Sequence, residues 1–304
     1  MHNIFIIFNF VKDFQQSEQA MSWILIADAG SSKTDWALLD TPQGKWRGFS
    51  SAGINPVTLE THEISNILDS VSGEISDLPA PDKIYFYGAG CSTPDLCGKM
   101  ANLLHEKFGS DTIDVQTDLT GAARSLLQKN EGIACILGTG SNSGLYDGNR
   151  IVDNIPPLGF ILGDEGSGTA LGKRIISDYF KRLLPEETAA EFEKEFGLTI
   201  AETIEKTYRQ KSPNRFLSSV VPFLKKHLLN EAIGQLVREE FSKFIKRNLL
   251  SYPRVKELPV CFTGSIACHF SDPLLDEMQK EGLKTGKITD RPLVDLIKYH
   301  IKYE

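Results

Sequence analysis

Short apolar runs bounded by glycine and small polar residues recur along this chain, and two of them share one build. Ile24, Leu25, Ile26 and Ala27 lead into Asp28-Ala29-Gly30-Ser31-Ser32-Lys33-Thr34. Roughly 110 positions later, Ala134, Cys135, Ile136 and Leu137 lead into Gly138-Thr139-Gly140-Ser141-Asn142. Apolar runs of this length that stop at turn residues predict buried strands. Each loop is followed by a second short strand, Asp35, Trp36, Ala37, Leu38 and Leu39 in the first copy; in the second, the hairpin turns at the strong pair Asp147-Gly148. The chain therefore carries a duplicated strand, loop and hairpin.

Between the copies the spacing becomes helical at Leu59, Ile64, Ile67, Leu68, Val71 and Ile75. A strand over 83–87 then ends in Gly88-Ala89-Gly90, and Leu96, Met100, Leu103 and Leu104 mark another helix. Residues 112–117 alternate like a strand, Asp118 stands at its end, and Ala122, Ala123, Leu126 and Leu127 mark a short helix. The first half thus reads strand, strand, helix, strand, helix, strand, helix. The second half opens near Gly132 and is helix-rich, with one apolar face over 171–183 and a longer stripe of Ile233, Leu236, Val237, Phe241, Phe244, Ile245 and Leu249. Both stripes are assigned to core contacts. A strand over 259–262 ends at Thr263-Gly264-Ser265, followed by a helical pattern. The last helix is expected to start at Asp290 as N-cap with Pro292 near its first turn, and Leu293, Leu296, Ile297 and Ile301 line one face.

The two loops are suited to anions. Glycine lets the backbone turn sharply and approach a ligand, and successive N–H groups in such a turn form a concave nest. Ser31, Ser32, Thr34, Thr139 and Ser141 add hydroxyl donors. Ordinary hairpin turns are the alternative, because Gly and Ser dominate turns everywhere. The repeat, together with a carboxylate at Asp28 inside an apolar run, favours phosphate cradles. With Asp118 between the copies, the pattern predicts two similar domains gripping one nucleotide, and phosphoryl transfer. A P-loop is excluded: Ser32 stands where the glycine before the lysine is required, and the residues after Thr34 read as a return strand, not a helix.

At 304 residues the length suggests about two domains. A formal charge of -7 and a pI near 5.5 argue against a nucleic-acid surface, which usually shows a basic stripe. The five cysteines, Cys91, Cys97, Cys135, Cys261 and Cys268, are odd in number and lack the close spacing of zinc or redox sites, as expected for a reducing, cytoplasmic setting. The apolar run within residues 1–11 has no basic flank and is too short to span a bilayer, so no membrane partner is expected. Because Met21 directly precedes the first core strand, residues 1–21 are read as an over-extended start or a disordered tail.

Taken together, these motifs resemble the sugar kinase, Hsp70 and actin ATPase superfamily, and within it the BadF/BadG/BcrA/BcrD-type ATPase group that contains N-acetylglucosamine kinase. The resemblance covers residues 22–304. Residues 28–35 look like the first phosphate motif, Leu137-Gly138-Thr139-Gly140-Ser141-Asn142 like the second, the segment 158–167 like the sugar-contacting stretch, and Phe262-Thr263-Gly264-Ser265 like the adenosine motif. It implies an α/β fold of two ribonuclease-H-like domains, over 22–131 and 132–289, flanking a nucleotide cleft, with the last helix (290–304) packing back on the first domain. It also implies ATP and Mg2+ as cofactors and a small amino sugar as substrate, N-acetylglucosamine at its 6-hydroxyl foremost, and leaves room for a homodimer.

Residue by residue, the resemblance makes Asp118 the catalytic base, where an N-cap is the structural alternative. Asp28 becomes the Mg2+ partner through water. Gly30, Ser31, Ser32, Lys33, Thr34, Gly138, Thr139, Gly140, Thr263, Gly264 and Ser265 would hold the nucleotide with Asp28, although an exposed turn lysine is the alternative for Lys33. Asn55, Ser141, Asn142, Gly159, Phe160 and Asp164 would hold the sugar, with a helix-start turn as the alternative for Asn55. Phe160 stands where these kinases often carry Trp, which keeps an apolar ring but removes an N–H donor. Glucosamine and N-acetylmuramic acid are therefore further candidates. Two other classes compete: an ATPase activator of a radical dehydratase, whose Gly-Cys-Gly context is not matched at Gly90-Cys91-Ser92, and a sugar-sensing regulator or actin-like polymer.

Overall fold

The structure is a computed structural model that describes residues 22–303; the expectation for residues 1–21 lies outside them. Among the described residues two five-stranded sheets have the same build. In the first, β1 (Trp23–Ala29), β2 (Lys33–Asp40) and β3 (Lys45–Ala52) form an antiparallel meander. After α1 (Thr61–Glu74), β4 (Lys83–Gly88) pairs parallel with β1; after α2 (Pro94–Phe108), β5 (Thr112–Thr117) pairs parallel with β4, and α3 (Asp118–Leu127) follows. The strand order is β3-β2-β1-β4-β5.

The second sheet begins with β6 (Gly132–Leu137), β7 (Ser141–Tyr146) and β8 (Ile151–Asp153), again antiparallel. A helical insertion follows: α4 (Gly159–Leu162), α5 (Gly168–Phe180), α6 (Glu186–Phe196), α7 (Ile200–Tyr208), α8 (Pro213–Ser218), α9 (Val221–Lys226) and α10 (Glu231–Asn248). Then come β9 (Pro259–Thr263), α11 (Ser265–His269), α12 (Ser271–Lys280), β10 (Lys284–Thr289) and α13 (Pro292–Tyr303), with β9 parallel to both β6 and β10. The order β8-β7-β6-β9-β10 repeats that of the first sheet strand for strand. This is the α/β, ribonuclease-H-like duplication that the motifs imply.

The described residues divide into two compact units, one of residues 22–128 together with 291–303, the other Lys129–Asp290. In the first unit, alternate residues of the central strands serve opposite faces, as the two-residue strand period requires. Leu25, Ala27, Trp36, Leu38 and Phe86 pack with Ile64 and Leu68 of α1 and Met100 and Leu104 of α2. Ile24, Ile26, Ala37, Leu39, Tyr85 and Tyr87 pack with Leu293, Leu296 and Ile297 of α13. Tyr87 also anchors this face: its hydroxyl accepts from Arg124 of α3 at 2.7 Å and bonds His300 Nε2 of α13 at 2.9 Å. Burial pushes the His300 imidazole down to about 3, so it stays neutral there. In the second unit, Phe192, Phe223, Phe241, Phe244, Phe262 and Phe270 lie in one buried cluster between the helical insertion and its sheet.

Several elements differ from the expectations. β3 and β10 were not anticipated, and both are edge strands, one side of which meets solvent and needs no apolar run, while β8 completes the hairpin expected at Asp147-Gly148. Helix α5 ends at Phe180, which leaves Leu183 of the expected 171–183 face 66% exposed. Helix α13 begins at Pro292, two positions after Asp290. Ile301 is exposed, because Tyr299 and His300 complete the buried stripe in its place.

Candidate functional site

In the first unit, register and helix start bring three carboxylates together. Asp28 faces Asp35 across the β1–β2 pair and Tyr87 across the β1–β4 pair. Asp118 is the first residue of α3, and the cap is Thr117, whose Oγ1 accepts the Thr120 N–H at 3.1 Å. Asp118 is thus not spent as an N-cap; its Oδ1 accepts the Leu119 N–H at 2.8 Å, at the positive end of the helix. Burial raises the Asp118 carboxyl to about 6 against the pull of these backbone donors. Burial, then the charges of Asp35 and Asp118, raise Asp28 to about 7, with Lys33 acting in the opposite direction.

The first loop is closed by the Gly30 N–H, which donates to the Lys33 carbonyl at 3.0 Å. Asn55 lies beside it: its Nδ2 donates to Ser31 Oγ at 3.0 Å, while its Oδ1 accepts the Val57 N–H in a turn. Gly90 fits against this side chain, since a Cβ there would stand 2.2 Å from Asn55 Oδ1. Ser32 is exposed, and the Lys33 ammonium pairs with Asp35 at 2.7 Å. Thr34 is fully buried, and its Oγ1 accepts the Ile54 N–H.

These raised carboxylates fix the sign of a stability effect. A group whose folded value exceeds its unfolded one stabilises the fold at low pH and loses that contribution as pH rises through the folded value, here about 6 to 7. Asp28→Asn is therefore expected to raise the melting temperature at pH 8 by about 2–4 °C, with the gain fading toward pH 5. Differential scanning fluorimetry across that range checks it, and a lower melting temperature at pH 8 would count against the assigned repulsion.

In the second unit, the Gly138–Asn142 turn is held from behind by the start of α5. The Gly168 N–H donates to the Gly138 carbonyl at 2.8 Å, and Thr169 reaches the Thr139 carbonyl with its N–H at 3.1 Å and its hydroxyl at 2.7 Å. The Asp164 carboxylate lies against Gly140 and accepts the Ser141 N–H at 3.2 Å; burial raises its carboxyl. Leu158 and Asp164 hold left-handed backbone with φ of 58° and 55°, a conformation costly for side-chain-bearing residues and common at functional sites. The neighbouring Glu165, not singled out in the sequence, pins this stretch through Arg247 and through Asn248 Nδ2. Asn154, also not anticipated, donates to Asn142 Oδ1 at 3.0 Å.

Phe160 is half-buried, packed against the core of the second unit, while Ile161 and Leu162 on the same short helix are exposed. Gly159, with φ of 71°, opens that helix.

Thr263 ends β9 with its hydroxyl buried and without a hydrogen-bond partner, and Gly264 follows with φ of 112°. A Cβ on Gly264 would stand 2.3 Å from the Leu137 carbonyl oxygen. Gly264→Ala is therefore expected to destabilise the protein by about 2–4 kcal/mol, read as a lower urea midpoint; an unchanged midpoint would refute the close approach. Beside this turn lies a cavity of about 450 Å³. Gly138, Thr139 and Ser265, three of the residues picked from the sequence, line it together with the apolar Val221, Pro222, Ile266 and Phe270. Lys225 and His269 complete its polar lining with Ser218. The α9 contributors carry no motif, so only the fold reveals them.

A solved structure from Porphyromonas gingivalis that carries the provisional name N-acetylglucosamine kinase is 43% identical to this chain, covers 92% of it and 99% of its own length, and superposes with a TM-score of 0.87. The chain belongs to the N-acetylglucosamine kinase-like group of the BadF/BadG/BcrA/BcrD-type ATPase family. Two more distant members of this fold are a Chromobacterium violaceum protein with the same provisional name (16% identity, 92% and 99% covered, TM-score 0.71) and the ethanolamine utilization protein EutJ of Carboxydothermus hydrogenoformans (15%, 95% and 92%, 0.51). They bear on the fold alone. No family model and no curated protein matches the chain. Within this kinase-like group, the residues described above are the chain's own candidates for the site.

Proposed function

We propose that this protein is an ATP-dependent sugar kinase that phosphorylates an amino sugar, N-acetylglucosamine at the 6-hydroxyl foremost, with Asp118 as general base. The observation that carries this is Asp118 itself: a carboxylate with a raised pKa at the head of a helix that another residue caps, beside a second carboxylate and a glycine-hydroxyl loop. The 43% identity to a protein provisionally named for this reaction supports the substrate class.

The residues fit the cofactors. The 450 Å³ cavity has the size and apolar lining of a nucleotide-base site, and the unpartnered Thr263 hydroxyl beside it leaves a group for a ligand to satisfy. Among the described residues no group of three or more His, Cys, Asp or Glu could hold a metal ion by itself. Asp28 alone suits Mg2+, which keeps several waters and takes the rest of its shell from phosphate oxygens. Mg2+-ATP, when bound, supplies the phosphoryl group and neutralises its charge. In the proposed chemistry Asp118 takes the hydroxyl proton as the sugar oxygen bonds to phosphorus and the bond to the β-phosphate breaks, leaving ADP. In the first unit Ser32 would offer a backbone donor to phosphate and Asn55 a carboxamide to the sugar; in the second, Thr139 and Gly140 would offer backbone donors and Asp164 and Asn142 polar groups, the Gly30 and Gly138 N–H groups being engaged within their own loops.

All five cysteines are free, and among the described residues no helix is long and apolar enough to cross a membrane. Burial pushes the Cys91 thiol up to about 12, which suits a core residue better than a cluster thiolate. A coupled assay for ADP with Mg2+-ATP and a panel of N-acetylglucosamine, glucosamine and N-acetylmuramic acid tests the assignment. Turnover is expected with N-acetylglucosamine first; no sugar-dependent ADP release would reject it.

A further inference from the structure

The cavity beside Gly264 has an uneven set of polar side chains. Among the described residues no carboxylate and no carboxamide lines it; its polar side chains are the hydroxyls of Thr139, Ser218 and Ser265, the His269 ring and Lys225 of α9, an exposed ammonium that can only donate. Among the described residues no carboxylate pairs with Lys225; its Nζ lies 5.9 Å from the centroid of the Phe270 ring, over one of the apolar groups of the lining. The Ser218 hydroxyl donates to the Arg215 carbonyl at 3.2 Å, which leaves its oxygen only as an acceptor. Lining backbone is also engaged: the Gly138 carbonyl takes the Gly168 N–H, and the Phe270 N–H goes to the Ile266 carbonyl.

An apolar wall holds any purine through its face and is indifferent to the substituents on its edge. What distinguishes one purine from another is then the polar group at the rim. A 6-oxo purine presents two adjacent acceptors, O6 and N7, the pattern that lysine reads in nucleic acids, whereas adenine keeps only N7 and sets its exocyclic amine beside it. The ammonium can therefore bond two acceptors of the one base and a single acceptor of the other.

We propose that Lys225 is the base-reading residue of this cavity, and that the protein accepts 6-oxo purine nucleotides as phosphoryl donors at least as readily as ATP. This rests on the cavity being the nucleotide-base site of the proposed kinase, so the test reads binding apart from turnover. Isothermal titration of the full chain with Mg2+-ADP and Mg2+-IDP, which differ only at the purine six-position and its neighbouring N1, gives the ratio directly. IDP is expected to bind within about threefold of ADP or tighter. Lys225→Met, which keeps the stem and deletes the charge, is expected to shift the ratio toward ADP by about tenfold, and Lys225→Arg to restore it.

A wild-type preference for ADP beyond about threefold, or equal weakening of both nucleotides in Lys225→Met, overturns the proposal; the second result would place the ammonium on phosphate. If nucleotides bind with the expected ratio but no sugar is phosphorylated, the kinase assignment fails while the base-reading role stands. If neither nucleotide binds, both fail.

Discussion

Asp118→Asn is expected to lower kcat by about 10²–10⁴-fold while nucleotide and sugar binding stay within about threefold of wild type. The amide keeps the shape and can still accept the Leu119 N–H that orients the carboxylate, but it cannot take a proton from a hydroxyl. Because Thr117 caps α3, the substitution removes no capping contact, so the loss cannot be assigned to fraying of the helix. The pH profile separates the base from a merely electrostatic role. Burial raises Asp118 to about 6, and the base must be ionised to act, so wild-type kcat/KM should fall about tenfold per pH unit below about 6 and level off above it. The residual activity of the variant should lack that limb. Rates near wild type would remove Asp118 from the chemistry.

Asp164→Ala should act on the other substrate. Its carboxylate accepts the Ser141 N–H, lies against Gly140, and sits on left-handed backbone that the Pro157 carbonyl and the Ser167 N–H hold in place. A carboxyl group with directed acceptors suits paired sugar hydroxyls, and a hydrogen bond to a charged group is worth about 1.5–3 kcal/mol. kcat/KM for the sugar is expected to drop about 10²-fold, with the KM for ATP within about threefold. A change confined to ATP would move Asp164 to the nucleotide, and no change would exclude it from the site. Asp164→Asn, which preserves shape, should recover part of the loss.

The central strands were legible because they are buried on both faces: Ile24 to Ala27 and Ile133 to Leu137 had to be continuous apolar runs. The glycine loops that end them stood out for the same reason, since small residues there interrupt otherwise unbroken hydrophobicity. The edge strands β3 and β10 were missed because a solvated edge relaxes that demand, and 45–52, with Lys45, Arg47 and Gly48 among its residues, reads as a loop until its partner is known. Phe160 shows a different limit. Aromatic rings fit both sugars and cores, and no spacing along the chain shows that this half-buried ring packs on the core while Ile161 and Leu162 are exposed. Thr34 is similar, since a hydroxyl beside a phosphate-loop glycine serves equally well to take a backbone N–H inside the fold. Lys225 and its neighbours in the cavity were beyond reach, because they are brought to Ser265 by the helical insertion and not by spacing along the chain.

The most direct measurement is the ³¹P NMR spectrum of the protein incubated with Mg2+-ATP and N-acetylglucosamine. The account predicts a sugar 6-phosphate resonance that grows in step with ADP and is absent without the sugar. ADP appearing with inorganic phosphate alone, or ATP left intact with every amino sugar tried, would contradict it.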